Sequence, residues 1–228
     1  MNNISIGTRS ESNLHRALKF RYTVGGTTEE KVAGFIADGV NSEGEYIEVQ
    51  IGSFGPLKKK IARLSTFSKV KIIHPIIINK FIEVYDTKGK KLYRRKSPHM
   101  GCEWDLFNNL VYAPELILLP FVTLELAIID IVEKRIRDGK GSWRRRGNSI
   151  VNRELSAWHG CLRLDNITDY RHFIPFIPGE DFTSDLLAKK AGINTGLSQK
   201  TLYVLTKTGV ISRTGKSGRS WLYNLPAV

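Results

Sequence analysis

Cysteine is scarce in this chain, with two in 228 residues, Cys102 and Cys161. Two widely spaced cysteines cannot build a disulfide framework, and no Cys/His cluster has zinc-binding spacing. Long apolar runs are missing too. The most apolar segment, Leu116 to Val132, is interrupted by Pro120, Glu125 and Asp130, so it does not read as a membrane span. The first eight residues are polar where a secretory leader needs an apolar core. No Gly-x4-Gly-Lys-Ser/Thr run occurs; Gly215-Lys216-Ser217 lacks the earlier glycine, which excludes a nucleotide P-loop. Acidic residues are in short supply, 22 against 35 Lys and Arg, a net charge of +13. That balance favours a polyanionic partner, and nucleic acid is the usual one. The expectation is a cytoplasmic protein in a reducing compartment, with no membrane attachment. A hydrophobic fraction of 41% and a charged fraction of 25% are those of a folded chain.

The chain is organised around Ala33 to Gly52, which reads as two strands joined by a tight turn. Asn41, Ser42, Glu43 and Gly44 are turn residues, and Gly44 suits the left-handed conformation of a short hairpin loop. With Ser42-Glu43-Gly44 as the loop, Asn41 faces Glu45 and Asp38 falls opposite Glu48. Side chains alternate along a strand. Phe35, Ala37, Ile47, Val49 and Ile51 then share an apolar face, and Asp38, Glu48 and Gln50 share the other. Directly opposed carboxylates repel each other. A hard divalent cation resolves that repulsion, because Mg²⁺ takes oxygen ligands, often one or two carboxylates plus phosphate. The competing reading is a solvated strand face that happens to carry acids.

Thr8 to Tyr22 reads as a helix packed through Leu14, Ala17, Leu18 and Tyr22. Glu11 lies on that face. It either points at the acid pair or completes a capping box with Thr8. Ser53 to Leu64 reads as a helix entered through Pro56, with Leu57, Ile61 and Leu64 buried and Lys58, Lys59, Lys60 and Arg63 on or beside the exposed side. Val70 to Pro75 reads as a short strand, and Ile77 to Tyr85 with Lys91 to Lys96 as a hairpin. Glu103 to Tyr112 suggests a helix, and Val122 to Ile136 a long strand. Arg135 to Arg146 holds five arginines, Lys140 and Trp143 around an Asp138-Gly-Lys-Gly turn signal, the densest basic patch in the chain. Trp143 could stack on a base or sugar there, or simply pack. Ser149 to Leu164 looks like a helical connector and Asp165 to Pro178 like a linker.

Past a boundary placed near Phe176, Thr183 to Gly192 is a capped helix. Thr195 to Gly209 is a turn and second helix, capped by Ser198. Strands Val210 to Arg213 and Trp221 to Leu225 flank a basic tip. Helix, turn, helix and basic hairpin is the winged-helix order. It puts Lys200 and Lys207 on the second helix and Arg213, Lys216 and Arg219 on the wing. A winged helix used only for protein contacts is the alternative, since fold does not fix function.

The order of helix with Glu11, strand with Asp38, strand with Glu48-Val49-Gln50, basic helix and strand, over roughly Thr8 to Ile78, resembles the core of the PD-(D/E)XK nuclease superfamily. The resemblance implies an α/β fold with a mixed sheet flanked by helices, restriction-endonuclease-like, here spanning residues 1–176 with a winged helix-turn-helix in 177–228. It implies that Asp38 and Glu48 are catalytic and bind Mg²⁺ or Mn²⁺, with Glu11 as the acid often found on the first helix. Gln50 stands at the family's lysine position and Ala37 at its proline. Glutamine can hydrogen-bond but brings no charge, so a neighbour such as Lys58 or Lys59 is the expected source of one. The expected activity is a metal-dependent DNA endonuclease acting on duplex or branched DNA, as a monomer or homodimer. Lys58, Lys59, Arg144, Arg145, Arg146, Lys200, Lys207, Arg213, Lys216 and Arg219 would contact the nucleic acid. The alternatives are a non-catalytic DNA-binding regulator on an inactive nuclease core, and a protein-interaction module.

Overall fold

The structure is a computed structural model and describes residues 12–227. At its centre strand β4 (Val70–Tyr85) lies between β3 (Tyr46–Val49) and β6 (Val122–Arg137), parallel to both. Antiparallel strands extend the sheet on either side. β1 (Thr27–Val32) pairs with β2 (Phe35–Val40), β2 pairs with β3, and β6 pairs with β7 (Asn148–Leu164). β5 (Lys91–Lys96) takes the same edge of β4 as β3, farther along, so seven strands form one mixed sheet. The fold is therefore α/β, a mixed sheet flanked by helices.

Each face of the sheet buries an apolar layer. Helix α1 (Asn13–Tyr22) lays Leu14 and Leu18 on Ile47, Val49, Ile73, Ala127 and Ile129. The opposite face carries α2 (Lys58–Leu64), α3 (Phe107–Leu110) and the helical turn Ile167–Phe173. Helices α4 (Ser184–Ala191) and α5 (Thr195–Lys207) join that second core, Leu197, Leu202 and Leu205 packing with Leu106, Phe107 and Leu110. The hairpin β8 (Ser212–Ser217) and β9 (Ser220–Asn224) follows. Among the described residues no helix is long and apolar enough to cross a membrane.

Several sequence expectations need correction. Ser12, not Thr8, caps the first helix, accepting the His15 N–H, and Thr8 and Glu11 lie outside the described residues. The expected short strand and the following hairpin strand are one strand, β4, running through Pro75. Proline is tolerated there because odd-numbered groups of β4 face β3, as the Gln50 N–H to Ile73 C=O bond shows, and β3 has ended by that level. Glu103 to Tyr112 forms a helical turn at Glu103–Leu106 and then the short α3. Ser149 to Leu164 is not helical. It is strand β7, paired with β6 along its length. Register shifts leave Val151, Ser156 and His159 without partners on β6. Each such bulge moves the alternation by one residue, and Leu155, Trp158 and Leu162 then imitate a helical stripe. The supposed linker is packed, with Tyr170 and Phe173 fully buried. Asn194, not Ser198, caps α5; Ser198 is buried and its hydroxyl donates to Ser184 C=O.

Candidate active site and nucleic-acid surfaces

The turn at residues 41–44 sets the register of the candidate site. Asn41 N–H bonds Glu45 C=O at 3.0 Å, and the Asn41 side chain accepts the Glu43 and Glu45 N–H groups. Gly44 has φ of 77°. The ladder then pairs Val40 with Tyr46 and Gly39 with Ile47. Gly39 is also where β1 comes close, since a Cβ there would meet Thr27 C=O at 2.4 Å. Continued one step, the register sets Asp38 opposite Glu48. There the regular ladder stops. The next N–H, of Val49, is taken by the Asp38 carboxylate at 2.8 Å and not by a backbone carbonyl. Ala37, expected with Ile47 and Val49, packs instead into the other core, consistent with β2 leaving β3 at this point.

Asp38, Glu48 and Gln50 line one open cleft together with His15, Lys19, Glu29 and Ile36. Glu29 was not anticipated. Thr28 pairs with Gly39 and Glu30 with Ala37, which brackets Glu29 against Asp38. Glu29, Asp38 and Glu48 thus form a cross-strand row of three acids on β1, β2 and β3. Glu29 has φ of 60°, a backbone conformation rare for a side chain of this kind. Lys19 bonds it at 3.3 Å. The strand β1 is closed by the left-handed pair Ala33-Gly34 (φ 50° and 85°), the turn that sets Glu29 across from Asp38.

The charges in this cleft do not balance. Glu48 is buried, and burial first and the Asp38 charge second push its carboxyl up to about 7. Lys60 opposes both. Its Nζ donates to Glu48 Oε1 at 2.6 Å and forms an ion pair with Oε2 at 2.5 Å. Burial also works against the Asp38 carboxylate. The His15 ring, the Val49 N–H and Lys60 more than offset it, and hold Asp38 below the usual range. His15 Nε2 sits 3.2 Å from Asp38 Oδ2 and 3.0 Å from Val49 C=O; a carbonyl only accepts, so Nε2 carries the proton.

The lysine that stands beside the acids is Lys60, not Lys58 or Lys59. Lys58 instead pairs with Glu115 at 2.7 Å, and Lys59 is exposed. Gln50 lies just beyond β3. Its side-chain amide donates to Ser53 C=O, and its own carbonyl accepts from His74 Nδ1 at 2.5 Å. His74 is buried, which pushes it down to about 4 and keeps it neutral, with Nε2 facing the Asn109 amide at 3.4 Å. The donor set suits a hard divalent cation in kind, since it consists of carboxylate oxygens, with both oxygens of Glu48 in contact with the Lys60 ammonium. Among the described residues no three His, Cys, Asp or Glu side chains are already gathered as a metal cage.

The basic residues differ in how far they are already engaged, and Arg145 donates to Asn148 C=O at 3.2 Å. Arg144, Arg145 and Arg146 sit on the loop between β6 and β7, beside Trp143, which is 83% exposed. Arg135, counted in that patch from sequence, is buried and bonded to Glu133 at 2.5 Å. Lys200 does not face outward. It donates to Asn108 Oδ1 at 2.7 Å, against α3. Lys207 lies over the Tyr203 ring, and Arg213 and Lys216 lie over Trp221 at 4.7 and 4.5 Å. Arg219 lines a groove with Gln199, Tyr203 and Trp221 between α5 and the hairpin.

Residues 12–165 match the family model described as Domain of unknown function (DUF8091). That stretch runs from the cap of α1 to the end of β7. An uncharacterized protein of Treponema pallidum (strain Nichols) is 27% identical over 228 residues, covering 96% of this chain and 87% of that protein. No solved structure matches.

Proposed function

We propose that this chain, which belongs to the DUF8091 family by the match over most of its length, is a metal-dependent DNA endonuclease. In this reading its sheet is a PD-(D/E)XK core of restriction-endonuclease type and its C-terminal part a winged helix, acting in the cytoplasm. One observation carries the reading. The β2–β3 ladder breaks at Asp38, so that its carboxylate, Glu48 and Gln50 share one cleft with a lysine on Glu48. A divalent ion bound there would activate water and offset charge on the phosphate. Asp38 and Glu48 would hold it, with Glu29 on the same cleft wall. With an ion bound, Lys60 would be free of Glu48 and would offer its positive charge to the scissile phosphate, a charge that Gln50 does not bring. Gln50 contributes orientation through its amide, and His74 fixes the Gln50 carbonyl. Arg213, Lys216, Arg219 and the β6–β7 loop hold duplex backbone; Lys200 braces α5 against α3 and is left out of that contact.

A non-catalytic DNA binder on the same core is the second reading. It is favoured by the Gln50 amide being tied to Ser53 and by Lys60 and His15 already standing against the two acids.

The test is cleavage of plasmid and branched DNA with Mg²⁺ or Mn²⁺. The wild type cuts, and Asp38→Ala and Glu48→Ala lose at least a hundredfold in rate while still binding DNA. Gln50→Lys keeps or raises activity. Cleavage surviving in Asp38→Ala, or no cleavage by the wild type on any substrate, overturns the endonuclease reading and leaves the binder.

A further inference from the structure

β4 and β6 run parallel, so the two hairpins that follow them turn at the same end of the sheet. Sequence places these tips about fifty residues apart; the fold sets them side by side. Segments 79–96 and 130–155 hold fifteen Lys and Arg against six Asp and Glu, +9 of the chain's net +13. Buried Glu83 and Glu133 absorb Lys91, Arg94, Arg135 and Arg153. Among the described residues, Lys88, Lys90, Arg95 and Lys96 on the β4–β5 hairpin have no carboxylate within ion-pair distance, and all four are exposed. Arg144 and Arg146 on the neighbouring loop are in the same state, around the exposed Trp143. Side chains alternate across β5, so Lys96 and Arg95 point to opposite faces.

We propose that the two hairpin tips form one grip on the phosphate backbone of duplex DNA, with Trp143 against a sugar or base at its centre. Cations on both faces of a β-ribbon suit a groove, whose two walls are both phosphate, better than a flat anionic surface. The grip is remote from the acidic cleft. Glu48 is level with Ile72 on β4, and the strand continues to Tyr85. At about 3.3 Å per residue those thirteen steps span about 40 Å, or about 12 base pairs at 3.4 Å each. The inference rests on the DNA reading above and adds a substrate requirement: one duplex fills cleft and grip together only when it extends a full turn past the cut.

Duplexes of 12 and 30 base pairs, titrated in EDTA by fluorescence anisotropy at several salt concentrations, provide the test. Wild type binds the longer duplex at least tenfold tighter. Lys88→Ala/Lys90→Ala/Arg95→Ala/Lys96→Ala erases that preference and lowers the salt slope by about 3 to 4, since each phosphate contact contributes about 0.9. Trp143→Ala weakens binding about tenfold with the slope unchanged, because stacking carries no counterion. All these positions are exposed, and an unchanged melting temperature confirms folding. Equal affinity and slope in wild type and quadruple variant overturn the grip. So does binding by wild type to phosphatidylserine vesicles in place of DNA. Binding lost only in Arg213→Ala/Lys216→Ala/Arg219→Ala defeats the grip while sparing the endonuclease reading. Failure of cleavage leaves these binding outcomes intact.

Discussion

The acidic cleft and the basic end of the sheet both bury carboxylates, but they neutralise them differently. At the basic end, burial alone would push Glu133 up. Arg135 and Arg153 more than offset it, and its pKa is lowered. Glu83 is lowered foremost by the Lys91 bond and then by Tyr85. Each acid there has more than one donor. In the cleft Asp38 and Glu48 stand across from each other, and the single ammonium of Lys60 does not bring Glu48 back to an ordinary value. Buried acids with surplus cations are scaffold, whereas buried acids short of cations make a place for one.

The sharpest way to break that comparison is to neutralise one acid in each region. Glu133→Ala strands two arginines, one of them buried, and is expected to cost about 3–5 kcal/mol in urea unfolding. Glu48→Gln at pH 8 is expected to be neutral or to stabilise by up to about 2 kcal/mol, because it removes a carboxylate that burial and Asp38 disfavour. Equal losses in the two variants would erase the distinction.

Next in size is the pH dependence. The folded-state pKa of Glu48, about 7, lies above the ordinary 4.5, so the folded protein holds the extra proton between those values. Its contribution to stability is fully present below about pH 4.5 and is lost as pH rises through about 7. Wild type minus Glu48→Gln should therefore fall by about 1–3 kcal/mol between pH 4.5 and 8. A flat difference would show that Glu48 has an ordinary pKa.

Lys60→Ala should destabilise the metal-free protein by about 1–3 kcal/mol, and millimolar Mg²⁺ should raise its melting temperature more than it raises that of the wild type. No greater rescue would mean that ammonium and metal do not compete for Glu48. The smallest effect belongs to Lys58→Ala. Its pair with Glu115 is about half exposed on both sides, and such pairs contribute less than about 1 kcal/mol.

What could be read in the sequence follows from what is local. The Asn41–Gly44 turn contains its own register, so the Asp38–Glu48 juxtaposition was legible from a dozen residues. The helices α4 and α5 announced themselves through Thr183, Gly192 and Gly209. β7 did not, because three bulges scrambled its alternation and only β6 specifies its pairing. Lys60 could not be told from Lys58 and Lys59 in a run of three lysines. Helical rotation alone turns it inward to Glu48. Glu29 reached the acid row through a hairpin that resembled loop, and Lys200 was committed by α3, more than ninety residues away.

In the endonuclease reading the cleft is a cation site created by unbalanced acids. The most direct measurement is Mn²⁺ binding, followed by electron paramagnetic resonance, in wild type and Asp38→Asn at pH 8 and pH 6. Asparagine retains an oxygen for the Val49 N–H, so the hairpin is preserved. Wild type should bind at pH 8 and several-fold more weakly at pH 6, where Glu48 holds its proton. Asp38→Asn should lose at least tenfold in affinity at pH 8. No binding by the wild type at either pH, or equal binding by Asp38→Asn, would contradict the account.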